Sequence, residues 1–188
     1  MSVRVVSAVI AFLFLSVVVC THSTNPSPPP DTRDVSLFVI HNSDISGWTM
    51  APDSFTYYDS SNFNNDVDGS VDLYKSRGMV KVVDMDMIGP DSVKKLGPKC
   101  FIMDFQNAAN ATAMYNYEQT FWTPNVVLPG FNKTVAFAYT EELGSVRVIA
   151  HFGKFYLDFP FSVYTDKNQA VTDAIQFISF EKSLIEAK

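Results

Sequence analysis

Between Val135 and Phe161 the hydrophobic pattern has a period of two. Val135, Phe137 and Tyr139 alternate with Ala136, Ala138 and Thr140; Val146, Val148 and Ala150 alternate with Arg147, Ile149 and His151; Phe155, Leu157, Phe159 and Phe161 alternate with Lys154, Tyr156 and Asp158. Successive side chains of a strand point to opposite faces, so this pattern predicts three antiparallel strands. Gly153-Lys154 suits a two-residue turn, with glycine first as type II′ geometry requires. Such a turn pairs Phe152 with Phe155, Ala150 with Leu157, Val148 with Phe159 and Val146 with Phe161. The loop from Glu141 to Gly144 is expected to pair Tyr139 with Val146 and Phe137 with Val148, which keeps all these pairs on one inward face. The same register sets His151 across from Tyr156, with Asp158 diagonal to His151 and Arg147 nearby on the same face.

Helical spacing occurs in three segments. Asn62 to Gly78 carries Val67, Val71 and Tyr74 at i, i+4 and i+7 and ends on a glycine, the residue favoured just past a helix C-terminus. Asn107 is a capping residue for Ala108 to Gln119, a stretch rich in alanine. Thr165 to Glu186, capped by Thr165 or Asp166, places Ala170, Val171, Ala174, Phe177, Ile178, Leu184 and Ile185 on one stripe. Two more strands are read at Met79 to Ile88 and Lys99 to Gln106, punctuated by Gly89-Pro90 and Gly97-Pro98. In the first, the polar positions switch parity between Lys81 and Asp84, which predicts a bulge at Val82-Val83. Val35 to Ile40 reads as a further short strand ahead of His41. A strand pair, a helix, a three-strand meander and a helix indicate an α+β fold: a single domain, residues 34–188, with helices packed on one face of an antiparallel sheet.

The N-terminal pattern is of another kind. Arg4 precedes an apolar run from Val5 to Val19, and a tract rich in Pro, Ser and Thr follows Cys20. This is the layout of an export signal, residues 1–19, and a linker, residues 20–33, containing Pro26, Pro28, Pro29 and Pro30. A cysteine at the end of the signal suggests lipidation at Cys20, as in a bacterial envelope lipoprotein. The alternative is ordinary cleavage near Thr21 to Ser23, which gives a soluble periplasmic or secreted protein, because Val17, Val18 and Val19 replace the small residue usual before a lipidated cysteine.

The formal charge of −6 and the absence of a Lys/Arg cluster argue against nucleic acid as a partner. Cys100 lies inside a predicted strand, where a buried small hydrophobe is expected. Asn64 to Asp72 matches the start of a calcium loop, with oxygens at the first, third and fifth positions and Gly69 at the sixth. Lys75, however, occupies the position that needs a bidentate carboxylate, so a calcium-stabilised module is only an alternative. Asp84-Met85-Asp86 puts two carboxylates on one strand face, read as an exposed polar face. No phosphate loop, dinucleotide fingerprint, nucleophile elbow or pair of histidines at metal spacing is present, and no catalytic residue, cofactor or metal is assigned. Two candidate surfaces stand out. Arg147, His151, Tyr156 and Asp158 form a candidate binding face on the hairpin, and Phe121, Trp122, Leu128 and Phe131 form a candidate contact loop.

With Gly47-Trp48, Asp68-Gly69, Tyr74, Gly78, Asp104-Phe105, Ala113 and Gly153-Lys154-Phe155-Tyr156 in order, the stretch from Ile45 to Ile185 resembles a family of uncharacterised exported bacterial proteins. The resemblance implies an exported α+β domain and supplies no catalytic residues. The resulting expectation is a membrane-tethered envelope domain that binds an envelope protein or a small ligand without catalysis. The competing expectation is an envelope hydrolase using His151 with Asp158 or Tyr156.

Overall fold

The computed structural model describes residues 29–59, 61–62, 71–90, 97–140, 145–161 and 166–187. In chain order the elements are β1 (Thr49–Met50), β2 (Thr56–Asp59), α1 (Val71–Ser76), β3 (Lys81–Ile88), β4 (Lys99–Asp104), α2 (Ala108–Phe121), β5 (Ala136–Thr140), β6 (Val146–Phe152), β7 (Phe155–Phe161) and α3 (Lys167–Glu186). The strands form one antiparallel sheet in the order β1-β3-β4-β7-β6-β5, with β2 pairing β3 beside β1. The chain is thus a single α+β domain built on an antiparallel sheet.

The β6–β7 hairpin has the expected register, from Val146 opposite Phe161 to Phe152 opposite Phe155, with His151 opposite Tyr156. Gly153 sits in the turn at φ +56, a left-handed conformation that glycine adopts without strain. The β5–β6 pairing differs by one residue. Ala138 pairs with Val148 and Thr140 with Val146, so Phe137 and Tyr139 turn to the face opposite the one expected. Alternation alone cannot choose between two faces when both are covered, and here both are.

One core lies between the sheet and α3, where Val83, Met85, Ile102, Val148, Leu157, Phe159 and Phe161 meet Ala170, Ala174, Phe177 and Ile178. A second core lies on the other face, where Val82, Phe101, Met103, Phe137, Ile149 and Tyr156 meet α1 and α2 through Val71, Tyr74, Ala111, Met114 and Tyr115. The helices are therefore shared between the two faces and do not lie on one as expected. The same double coverage removes the reason for a bulge at Val82-Val83. The β3–β4 ladder runs without interruption from Lys81 opposite Asp104 to Asp86 opposite Lys99, with Val82 in one core and Val83 in the other.

The apolar run Val35 to Ile40 is not a strand: Val35–Phe38 is a 3-10 helix, started by the Asp34 carboxylate accepting from the Ser36 amide at 2.9 Å. Phe38 packs edge-on to Phe155, so this turn belongs to the α3-side core. The expected helix caps at Asn107 and Asp166 are present, each accepting from a first-turn amide, Asn110 at 2.9 Å and Asn168 at 2.8 Å. The end of α1 is fixed by Gly78 at φ +96, whose amide donates to Lys75 O while that of Met79 donates to Tyr74 O, both at 3.0 Å. The first half of the expected Asn62 to Gly78 helix, and with it Asn64 to Ser70 of the calcium-loop match, lies outside the described residues, as does Cys20. Val71 and Asp72 form the first turn of α1.

Candidate functional site

The register brings the four hairpin residues together on the α2 side of the sheet. Arg147 and Asp158 form a two-point ion pair, with Nε 2.7 Å from Oδ1 and a terminal nitrogen against Oδ2. Asp158 is 2% exposed. Burial disfavours the charge on Arg147, and Asp158 beside it more than restores it, so the pKa lies above the ordinary arginine range. Tyr156 is fully buried, with its ring against Phe105 and Tyr74. Its hydroxyl has no hydrogen-bond partner among the described residues, and burial, then the nearby Asp158 charge, raise its pKa well above the usual phenol value.

His151 lies against the ring of Tyr115, with centroids 4.7 Å apart. Its Nε2 donates to the Thr134 carbonyl at 3.0 Å, while its own amide donates to Val135 O at 2.9 Å. Burial lowers the imidazole pKa, partly opposed by the Thr134 carbonyl, so the ring is neutral at pH 7. Tyr115 Oη donates to Lys133 O at 2.7 Å. Together His151 and Tyr115 clamp the stretch Lys133 to Val135 that leads into β5. The carboxylate a hydrolytic imidazole would use, Asp158, is engaged by Arg147, and the imidazole addresses a backbone carbonyl. This geometry positions backbone; it assembles no nucleophile and base. The face read as solvated hairpin surface is an interior layer beneath α1 and α2.

The aromatic loop after α2 has two sides. Leu128 is buried, with Val126, in the α3-side core, and Phe131 packs against it. The loop also closes the outer edge of β5. The Val126 amide donates to Ala138 O at 3.2 Å, Asn125 Oδ1 accepts from the Thr140 amide at 2.9 Å, and the Ala136 amide donates to Asn132 O at 3.0 Å. An exposed strand edge invites pairing with another chain, and these bonds remove it. Phe121, Trp122 and Val127 point the other way, at 62%, 42% and 74% exposure. The Trp122 indole lies flat on the buried Tyr139 ring, centroids 4.8 Å apart and planes 3° from parallel. Its conformational entropy is largely spent before any partner arrives, a property of residues that anchor interfaces.

Two buried charge sites escaped sequence reasoning. Lys154, placed by pattern in an exposed turn, is buried: its Nζ lies 2.7 Å from Asp104 Oδ2 and 2.8 Å from Arg33 O. Arg33 in turn donates to the carbonyls of Ile185 at 2.6 Å and Ala187 at 3.0 Å, capping the negative end of α3. The linker is thereby fastened to the β6–β7 turn and the end of α3. Glu181 is fully buried, and neither carboxyl oxygen has a partner among the described residues. Asp104 and Lys154 both belong to the motifs that carry the family resemblance, and Glu181 lies on the apolar stripe of α3, four residues after Phe177. Trp48 and Phe105 of the same motifs are core residues, Trp48 against Phe177 and Phe105 against Tyr156.

Asp84, on the face expected to be exposed, is 7% exposed and pairs with Lys99 at 3.1 Å. Among the described residues no group of three or more His, Cys, Asp or Glu is placed to hold a metal ion, and no helix is long and apolar enough to cross a membrane.

No family model matches the chain, and no curated protein matches it. Among solved structures it is similar to the crystal structure of the extracellular domain of PknH from Mycobacterium tuberculosis, at 13% identity and a TM-score of 0.49 over 82% of this chain and 98% of that one.

Proposed function

We propose that this chain is an exported, non-catalytic binding domain of the bacterial cell envelope, tethered to a membrane by acylation of Cys20. Its contact surface is the end of the domain that carries Phe121 and Trp122, and its partner is an envelope protein or a small ligand. Membership in the exported family suggested by Gly47-Trp48, Asp104-Phe105 and Gly153-Lys154 belongs to the same proposal.

The observation that carries the binding reading is Trp122, held rigid against Tyr139 and left 42% exposed. Export rests on the signal-like run before Cys20. The position of the tether adds a direction. Residues Asp31 and Arg33 sit by Phe152 and Gly153 at one end of β6, whereas Tyr139 pairs with Arg147 near the other end. The six residue steps from Arg147 to Gly153 span about 20 Å. The aromatic surface therefore faces away from the point of attachment, toward material beyond the anchoring membrane.

Fractionation of cells expressing the Cys20→Ser variant tests the tether. The domain is expected to move from the membrane to the soluble envelope fraction with its melting temperature unchanged, because stable anchoring needs more than one acyl chain and the linker separates anchor from core. A variant still in the membrane, or an unmodified mature N-terminus at Thr21 or Ser23, contradicts lipidation. Robust turnover on a panel of hydrolase substrates, abolished by His151→Ala, would overturn the non-catalytic reading.

A further inference from the structure

Three arginines lie among the described residues, and two have acceptors. Arg33 donates to Asp31 and to carbonyls at the end of α3, and Arg147 donates to Asp158. The third, Arg77, has no side-chain hydrogen bond or ion pair among the described residues, and its Nε is buried with no partner. Its guanidinium carbon lies 3.7 Å above the Tyr117 ring. On the next turn of α2, the Phe121 ring lies 4.7 Å from Tyr117 and is 62% exposed.

The backbone holds this group in place. Arg77 directly precedes Gly78, and its own amide donates to Leu73 O at 3.2 Å and Tyr74 O at 3.1 Å. A Cβ at Gly78 would come within 2.4 Å of the Asn110 side-chain nitrogen, so the end of α1 is pressed onto the start of α2. Asn110 is fixed in turn by donating to Phe105 O at 3.0 Å. A guanidinium so placed has a ring covering one side, a buried Nε out of reach of water, and its terminal nitrogens left for an oxyanion. Arginine binds carboxylate and phosphate in two-point geometry, and stacking on an aromatic ring orients it beforehand.

We propose that Arg77 and Phe121, flanking Tyr117, form a binding site for an oxyanion carried on a small apolar body. The oxyanion is held by the terminal nitrogens of Arg77, and the apolar part packs on Phe121. The site lies where the turn after α1 meets α2, outside the Trp122–Tyr139 stack. It deepens the binding reading by naming a ligand class, and shares only Phe121 with it.

Titration calorimetry of the full chain carrying Cys20→Ser tests the site with phenyl phosphate and benzoate as probes. Inorganic phosphate and phenol each supply one half of the chemistry, and phosphatidylglycerol vesicles supply the same oxyanion as a lipid headgroup. Phenyl phosphate is expected to bind at least about tenfold more tightly than either half-probe, because each half loses one set of contacts. Arg77→Ala should abolish this binding, Arg77→Lys should weaken it, and Phe121→Ala should reduce it to the level of inorganic phosphate. The melting temperature of each variant reports whether it folds. Trp122→Ala should leave phenyl phosphate binding intact, which separates failure of this site from failure of the Trp122 surface. Binding confined to the vesicles and lost in Arg77→Ala supports the site with a lipid headgroup as its source. No saturable binding to probe or vesicle, or binding indifferent to Arg77→Ala, overturns the proposal.

Discussion

Glu181 shows how much a single buried residue can set. Its carboxyl is buried with no hydrogen-bond partner among the described residues, and burial, then the nearby Asp44, push its pKa well above the ordinary value of 4.5. The folded state therefore holds a proton that the unfolded chain releases above pH 4.5. The stability contributed by that proton is fully present below pH 4.5 and is lost as pH rises through the folded value. Glu181→Leu is expected to raise stability by about 1–3 kcal/mol at pH 4.5, the usual deficit of an unsatisfied buried polar group, and by more at pH 8, where the unfolded chain of the parent protein is stabilised by releasing the proton. Urea midpoints at the two pH values measure this, and equal shifts at both would contradict it. Helical spacing places Glu181 on the apolar stripe of α3, four residues after Phe177 and four before Ile185, a signal that sequence reasoning passed over. Lys154 is a different case, since a lysine in a two-residue turn is ordinarily solvated, and only the approach of Asp104 and Arg33 encloses it. Burial of Lys154 depends on what arrives from distant parts of the chain, and local pattern cannot report that.

The elements were more legible, and their legibility followed how tightly each was constrained. Gly153-Lys154 left one register for β6 and β7, and the observed pairing is that one. Glu141 to Gly144 is a longer connection that tolerates a slip, and a slip of one residue exchanges faces. In β5 it turns Phe137 and Tyr139 toward α2, where Phe137 meets Tyr115 at 5.2 Å, and leaves Ala136 and Ala138 in the α3-side core. The short β1 and β2 carry too few residues for a period to show. The stripe on α3 was legible because twenty residues repeat it. Phe177 is its centre, meeting Trp48 at 5.0 Å, Phe161 at 5.6 Å and Phe159 at 6.4 Å. Phe177→Ala is expected to destabilise the domain by about 3–5 kcal/mol, through lost burial plus the cavity left behind. Equilibrium unfolding with urea checks this, and a loss below about 1 kcal/mol would mean that the site collapses or that α3 packs otherwise.

At the scale of the molecule, helices on both faces convert a sheet expected to be half-open into an interior layer. That single change moves Arg147, His151, Tyr156 and Asp158 from a candidate surface into the framework, and leaves the exposed Phe121, Trp122 and Val127, at the end of α2 and in the loop after it, as the candidate contact surface. The loop could be identified from its aromatic content, but its division could not: Leu128 inward and Trp122 outward depend on where β5 needs its edge covered. The central proposal is that this aromatic surface, and not the His151 layer, binds a partner. Its direct measurement is co-purification of envelope components with the intact protein extracted from its own membranes, comparing wild type, Trp122→Ala and His151→Ala at matched folded yield. The proposal's expected outcome is a component retained by wild type and His151→Ala and lost by Trp122→Ala. Retention by Trp122→Ala with loss in folded His151→Ala would contradict it.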